Sequence, residues 1–305
     1  MARSLDDAGV TGGRRLPPWL GALRPHHWVK NLLVFVPLAA AHQLHDGDLL
    51  ARATLAFVAF TLCAAGQYAF NDLRDLAADR THPTKSRRPI ATGALSPRAG
   101  RWLIAATWLS AAALAAMLGF AFGAVLLAYL LLMLAYSWRL KHVPILDAVM
   151  LGAGYTLRVA AGAAAVAIFP SPWLIAFNVC FFYSLALIKR YGELMHLRER
   201  DGPFAHDRGY LGVDLPIVGM FGIASGYLAV LVLVMYLTTG DPARHLQQRP
   251  LFIGLTAALL AYWISYLWLV ANRGRMDDDP VVFALRDRQS RAIVMLMGVC
   301  AWLAL

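Results

Sequence analysis

The sequence predicts an all-α polytopic membrane protein with about nine transmembrane helices around a central cavity open to the cytoplasm. Three observations predict this. Of 305 residues, 59% are hydrophobic and 15% charged, against roughly 45–50% and 25% in soluble domains, and the mean hydropathy is +0.56. The apolar residues gather in runs of about 20, the length that crosses a hydrocarbon core. The Lys and Arg residues fall in alternate loops instead of covering one soluble face. The net charge of +10 is therefore an orientation signal, and nucleic acid is excluded as a partner.

Taken in order, residues 1–24 are polar, basic and Gly/Pro-containing, and read as a loosely ordered cytoplasmic N-terminal arm with no apolar signal-peptide core. Residues 25–305 read as one nine-helix transmembrane domain. The first helix enters near Pro25-His26-His27-Trp28 and runs to about Ala41, with Lys30 and Asn31 near its start, within snorkelling reach of an interface. After a loop around His45–Asp48, helix two covers about 50–72. A basic loop with Arg80, Lys85, Arg87, Arg88, Pro89, Gly93 and Pro97 follows. Helices three and four cover about 101–119 and 122–138, joined by a minimal Gly-containing turn, and Tyr136 to Lys141 form a short basic exit. Helix five, about 145–167, holds Arg158 among Gly152, Gly154, Ala160, Ala161 and Gly162, small residues that let helices approach closely. Pro170 and Pro172 mark a turn, and helix six, about 173–189, ends in Lys189-Arg190-Tyr191-Gly192-Glu193. A polar loop to about 212, with His206 and Asp207, precedes helices seven (about 215–237), eight (about 251–271) and nine (about 290–305).

The charges orient this bundle. The arm, the first helix's entry and the loops after helices two, four, six and eight hold 24 of the 28 Lys and Arg residues; the opposite loops hold Arg52, Arg244 and Arg249, and Arg158 is inside helix five. The N-terminus and those basic loops are expected on the cytoplasmic side of the plasma (inner) membrane, and the C-terminus outside. Cys63, Cys180 and Cys300 stand far apart in apolar runs, with neither metal-ligand spacing nor a disulfide framework. His26, His27, His42 and His45 lack a third ligand at useful spacing for zinc.

The chemistry gathers at the end of helix two, in Asn71-Asp72-Leu73-Arg74-Asp75-Leu76-Ala77-Ala78-Asp79. Aspartates at i, i+3 and i+7 fall on one face of a continuous helix. A cationic loop, Lys85-Ser86-Arg87-Arg88-Pro89, follows at once. Carboxylates beside cations suit a phosphate-bearing substrate held through Mg²⁺, which takes hard oxygen ligands from one or two carboxylates plus phosphates. The plainer reading is a solvated helix end. Ionisable groups emerging from a membrane-length segment favour the functional one. The motifs after helices two and six occupy corresponding places, a weak internal duplication.

With nine helices and Asn-Asp-x-x-Asp-x-x-x-Asp after the second, the chain resembles the UbiA superfamily of intramembrane prenyltransferases over residues 24–305. That resemblance implies Mg²⁺ and a diphosphate at Asp72, Asp75 and Asp79. The family's second motif is another aspartate-rich run after helix six; here Lys189, Arg190 and Glu193 stand instead. The segment Leu23-Arg24-Pro25-His26-His27-Trp28-Val29-Lys30-Asn31-Leu32-Leu33-Val34-Phe35, with Lys189-Arg190-Tyr191-Gly192-Glu193-Leu194, looks like the branch of decaprenyl-phosphate phosphoribosyltransferases. That branch implies 5-phosphoribosyl diphosphate (PRPP) as donor, decaprenyl phosphate or a similar polyprenyl phosphate as acceptor, and a product feeding the arabinose donor of actinobacterial cell-wall polymers.

The expected catalytic residues are Asp72, Asp75, Lys189 and Glu193, with Asp72, Asp75 and Asp79 as metal ligands. The expected substrate-binding residues are Lys30, Asn31, Asn71, Lys85, Arg87, Arg88, Tyr136, Lys141, Arg158 and Arg190. Several have plainer readings. Lys85, Arg87 and Arg88 also serve as orientation charges, Lys189 and Glu193 also make an i, i+4 surface pair, and Arg158 also suits a carbonyl or a neighbouring helix. Tyr136 and Lys141 resemble the family's Tyr/Lys element with one residue more between them. The bilayer is a certain partner, and homo-oligomerisation is left open. Two rivals remain: a polyprenyltransferase acting on an aromatic or other lipophilic acceptor, and a transporter with a cytoplasmic gate.

Overall fold

The computed structural model describes residues 16–82, 84–198, 209–239, 250–276 and 279–304, and no strand occurs among them. The α-helices are α1 (Pro18–Ala22), α2 (Val36–Ala40), α3 (Gly47–Arg74), α4 (Leu76–Thr81), α5 (Pro97–Leu118), α6 (Phe120–Trp138) and α7 (Leu146–Val166). They continue with α8 (Pro172–Arg198), α9 (Leu215–Thr239), α10 (Pro250–Asn272), α11 (Pro280–Arg286) and α12 (Arg288–Ala304). Seven of them, α3 and α5 to α10, contain stretches long and apolar enough to cross a membrane. The protein is an integral membrane protein.

The first and ninth expected spans differ from the other seven. Residues 25–40 are a 3₁₀ helix, Pro25–Phe35, followed by the five-residue α2. At about 2.0 Å per 3₁₀ residue and 1.5 Å per α residue, the summed helical length of the two pieces is about 30 Å, comparable to a hydrocarbon core. The last expected span, α12, has 17 residues. The arm also differs in its described part: residues 18–22 form α1, and Ala22 and Leu23 are buried. His206 and Asp207 lie outside the described residues.

The chain divides into two compact units. The first comprises the described residues of 1–138 and 157–169. Its axis is α3, whose small residues Ala53, Ala56, Ala59 and Ala64 are buried. Around them, Phe60 and Cys63 of α3 join Ala111 and Ala115 of α5, Phe122, Leu126 and Tyr129 of α6, and Ala161 and Ala165 of α7. Small residues bring helix backbones close where lipid gives no hydrophobic drive to associate. Gly162 shows the need: a Cβ there would collide with the Val34 carbonyl of the 3₁₀ segment. At one end, Arg52 donates to the carbonyls of Ala165 at 2.8 Å and Leu118 at 3.4 Å, placing a cation at two helix C-termini, where the dipole favours it. An apolar cavity of about 650 Å³ lies against Cys63, Trp108 and the small residues Ala112, Ala116, Gly123 and Ala128 of α5 and α6.

The second unit comprises residues 139–156 and the described residues of 170–305. Here α8 lies along α9. Gly222 of α9 meets the Trp268 ring of α10 so closely that a Cβ would overlap it. Ser184 of α8 donates to Gly222 O at 2.7 Å and accepts from Trp268 Nε1 at 3.2 Å, joining the three helices. Asp279 caps α11 through Val281 N at 3.2 Å and also accepts from Tyr155 Oη at 3.2 Å. Asp287, at the start of α12, accepts from Ser290 N at 2.7 Å and Tyr266 Oη at 3.1 Å.

Two helices outrun the bilayer. With 28 and 27 residues, α3 and α8 are each about 40 Å long, well beyond a hydrocarbon core of about 30 Å. Helix six therefore does not stop at 189. Lys189 to Glu193 lie inside a continuous helix, and Gly192 within it leaves room for the Met276 carbonyl, which a Cβ would approach to 2.9 Å.

Candidate active site

The aspartate motif does not form one uninterrupted helical face. The α3 helix ends at Arg74, Asp75 is its C-cap, and α4 begins at Leu76. Asp72 and Asp79 are buried, while Asp75 at the junction is half-exposed. Backbone bonds continue across the break, Asp75 N to Asn71 O at 2.9 Å and Asp79 N to Asp75 O at 2.8 Å. The hydrogen-bond ladder therefore runs through the junction.

What gathers the carboxylates is arginine. Arg88 Nη1 donates to Asp79 Oδ2 at 2.7 Å and to Asp72 Oδ1 at 3.1 Å. Arg24 Nη2 donates to the same Asp72 oxygen at 2.6 Å, with its guanidinium 5.3 Å from the Tyr68 ring centre. The carboxylates are 2% exposed and the arginines 20% and 24%. Two buried anions are thus balanced by two cations at a rim that water reaches, which offsets the desolvation of the acids. Arg24 sits at a left-handed φ of 50° immediately before Pro25, so the chain turns sharply to deliver it.

Among the described residues, no three His, Cys, Asp or Glu side chains cluster as a metal site. Mg²⁺ does not need three, since it commonly takes one or two carboxylates with substrate phosphates. Asp72 Oδ2 is buried without a hydrogen-bond partner. That oxygen, the neighbouring Asp79 and the exclusively hard-oxygen donor set fit a Mg²⁺ ion arriving with phosphate.

The other expected residues of the first unit fall into three groups. Lys85 and Arg87 flank Ser86 in a short 3₁₀ turn, with Lys85 half-buried and Arg87 exposed. Asn71 accepts from Gln67 Nε2 at 3.3 Å, and the same amide reaches Ser137 Oγ at 3.1 Å, so the motif is tied to the last turn of α6 where Tyr136 lies. Asn31 and Arg158 are engaged with each other. Arg158 Nε donates to Asn31 Oδ1 at 2.9 Å and Nη2 to Tyr129 Oη at 3.0 Å, while Asn31 Nδ2 donates to Thr61 Oγ1 at 3.0 Å. The Arg158 guanidinium also lies 5.2 Å from the Phe60 ring and 4.9 Å from that of Tyr129. This places Arg158 as a bundle-internal cation joining the 3₁₀ segment, α6 and α7. Lys30 is buried beside Asn31 in sequence.

In the second unit, Lys141 lies in a 3₁₀ turn, Leu140–His142. Arg190, 1% exposed, forms ion pairs with Asp147 of α7 and with Glu193 one turn along α8. Lys189 and Glu193 are half-buried. Glu193 pairs with Arg190 at i, i+3, and Arg190 is buried within the protein. Tyr210 Oη donates to Asp147 Oδ1 at 2.7 Å and accepts from Ile145 N at 2.7 Å. Burial, and then the Asp147 hydrogen bond and charge, push the Tyr210 hydroxyl well above the ordinary tyrosine range. It stays a donor throughout the neutral range.

Arg24, Asp147 and Tyr210 were not among the expected residues. Arg24 stands in the motif Leu23-Arg24-Pro25, and Asp147 is a lone acid opening an apolar span. Both were detectable as charges bordering membrane segments. Nothing in the sequence marks Tyr210.

Comparison with known proteins agrees with this architecture. The protein y4nM of Sinorhizobium fredii is 37% identical over 280 residues, which is 92% of this chain but 54% of that protein, so the chain spans about half of that relative. Nodulation protein NoeC of Azorhizobium caulinodans is 36% identical over 279 residues, 91% of this chain and 89% of that one. The decaprenyl-phosphate phosphoribosyltransferase of Mycobacterium tuberculosis is 33% identical over 291 residues, 93% and 91% of the two chains. In fold, a UbiA homolog from Archaeoglobus fulgidus bound to GPP and Mg²⁺ superposes with a TM-score of 0.65 at 17% identity, covering 93% and 99%. The model of the UbiA prenyltransferase family matches residues 32–301. With a match over nearly its whole length, the chain belongs to the UbiA prenyltransferase family.

Proposed function

We propose that the protein transfers the 5-phosphoribosyl group of PRPP to a polyprenyl phosphate, releasing diphosphate, on the cytoplasmic side of the plasma membrane. The observation that carries this reading is the second motif. Where the family's aspartate-rich run stands, this chain has Lys189, Arg190 and Glu193, and the one acid among them is bound to Arg190. A cation-rich second motif suits a donor bearing a separate 5-phosphate as well as a diphosphate. The relatives named as decaprenyl-phosphate phosphoribosyltransferases, at 33–37% identity, support it.

In the reaction, an oxygen of the acceptor phosphate forms a bond to C1 of ribose as the C1–O bond to diphosphate breaks, the diphosphate leaving with the electron pair. A phosphate monoester has its second pKa near 6 and is mostly dianionic at neutral pH, so no general base is needed. Asp72, Asp79 and Asp75 would hold a Mg²⁺ ion, which would supply charge neutralisation for the leaving diphosphate. Arg24 and Arg88, held on the carboxylates here, turn their donors to phosphate oxygens, where a planar guanidinium binds bidentately. Lys85 and Arg87 add basic side chains to the loop of the first unit that carries Arg88, and Lys141 and Lys189 are cations of the second unit offered to the donor's phosphates. Positioning and preorganised charge supply most of the catalysis. The apolar cavity beside Cys63, nine residues before Asp72 on α3 and about 13.5 Å along its axis, suits part of an acceptor chain.

A second reading, polyprenyl transfer to an aromatic or other lipophilic acceptor, is favoured by the family's own description and by the GPP-bound fold relative. The relative NoeC leaves the biological setting open to processes other than cell-wall arabinan synthesis. Purified protein offered radiolabelled PRPP or geranyl diphosphate, each with Mg²⁺ and matched acceptors, separates the readings. Lipid-linked label from PRPP alone is expected. Label from geranyl diphosphate alone replaces the first reading with the second.

A further inference from the structure

Three elements of the second unit meet at Asp147. This carboxylate is 0% exposed, in the first turn of α7, and pairs with Arg190, itself 1% exposed on α8. Tyr210, 2% exposed and just before α9, donates to Asp147 while accepting the amide of Ile145. Ile145 holds a φ of 67°, left-handed backbone that a β-branched residue rarely adopts. Gly209 presses on the same turn: its φ is 76°, and a Cβ there would stand 2.7 Å from His142 O. The turn so pinned carries Lys141, and the arginine so pinned carries Glu193 on its other side.

A fully buried ion pair with a tyrosine hydrogen bond is a costly way to join two helices. Apolar residues of similar volume commonly do as well or better. What apolar packing cannot do is fix the direction of a guanidinium and the carboxylate beyond it. We infer that Asp147 and Tyr210 are positioning residues. They set Arg190 and Glu193 on α8, and the Lys141 turn, in one fixed arrangement for the anionic donor. Neither touches substrate. The inference rests on the proposed anionic donor binding at these elements. It adds that the second motif works only when braced from α7 and the segment before α9.

The test uses the full chain in nanodiscs with Mg²⁺, varying donor and acceptor separately. Tyr210→Phe keeps the ring and removes both bonds of the hydroxyl. It is expected to raise the donor KM about fivefold to tenfold, the effect of one ordinary intramolecular hydrogen bond, with the acceptor KM unchanged. Asp147→Asn is expected to act in the same direction, and Asp147→Glu to recover most of the donor affinity. A donor KM unchanged in folded variants, or equal rises for both substrates, overturns the inference and leaves a purely structural pair.

Should these variants not fold, hydrogen exchange on the unmodified protein with Mg²⁺ and inorganic diphosphate decides. Segments 140–147 and 186–193 are expected to gain protection together, and protection of only one, or of neither, contradicts the brace. The donor assignment fails separately. Joint protection by diphosphate without any turnover of PRPP keeps the brace and removes PRPP.

Discussion

Arg88 donates a 2.7 Å hydrogen bond to Asp79, and the same nitrogen reaches Asp72 at 3.1 Å. One guanidinium from the basic loop therefore draws together two acids separated by a helix break. Arg88→Ala is expected to leave Asp79 buried with its principal cation gone, costing about 1.5–3 kcal/mol of stability for a charged hydrogen bond. Arg88→Lys is expected to recover only part of this, because a compact ammonium is more strongly hydrated than a guanidinium and costs more to bring beside buried carboxylates. Thermal unfolding in detergent, without added metal, measures both.

Asp72→Asn is expected to lower kcat by at least about 100-fold, as loss of an interaction made chiefly in the transition state does. Asp75→Asn is expected to do the same while costing less stability, because Asp75 is half-exposed. Asp79→Asn is expected to be milder than or equal to either. Metal-titrated turnover checks the series, and near-normal kcat at saturating Mg²⁺ in Asp72→Asn or Asp75→Asn refutes metal binding there.

Neighbouring cations on α8 have separable roles. Lys189→Ala is expected to raise the donor KM about tenfold to 100-fold with little change in Tm. Arg190→Ala, which strands buried Asp147, is expected to destabilise the protein by about 3–5 kcal/mol. The pair of measurements is Tm and donor KM for each variant. Equal behaviour of the two variants contradicts this division.

The apolar runs made the helices legible, because crossing hydrocarbon demands length and hydrophobicity that no soluble helix needs. All seven long spans stand within a few residues of expectation, apart from the extra turns of α8. Periodicity could not reveal the break at Asp75, or that Asp72 and Asp79 share Arg88 as a partner. Nor could it reveal the 3₁₀ winding of residues 25–35, packed where Gly162 has no side chain. Arg190 was legible as a charge but not as a partner: its counter-ion is 43 positions earlier, and Tyr210 is 20 positions later. Pairings at such separations are set by tertiary packing, which spacing along one helix does not encode.

The charge asymmetry supports the proposed orientation with a cytoplasmic N-terminus. A cysteine replacing Thr92, exposed after α4, is expected to react with impermeant thiol reagent only from the cytoplasm, and one replacing His45, exposed before α3, only from outside. The background needs Cys63, Cys180 and Cys300 replaced by Ala or Ser. Labelling of both sites from one side contradicts the proposed topology.

The central claim is the identity of the transferred group. Purified protein in nanodiscs, given Mg²⁺, PRPP and decaprenyl phosphate, is expected to yield a lipid whose mass equals decaprenyl phosphate plus one phosphoribosyl group, with one diphosphate released per lipid. The Asp72→Asn protein is expected to yield none. Absence of that lipid, alongside prenylated product when geranyl diphosphate and an aromatic acceptor are supplied, contradicts the claim.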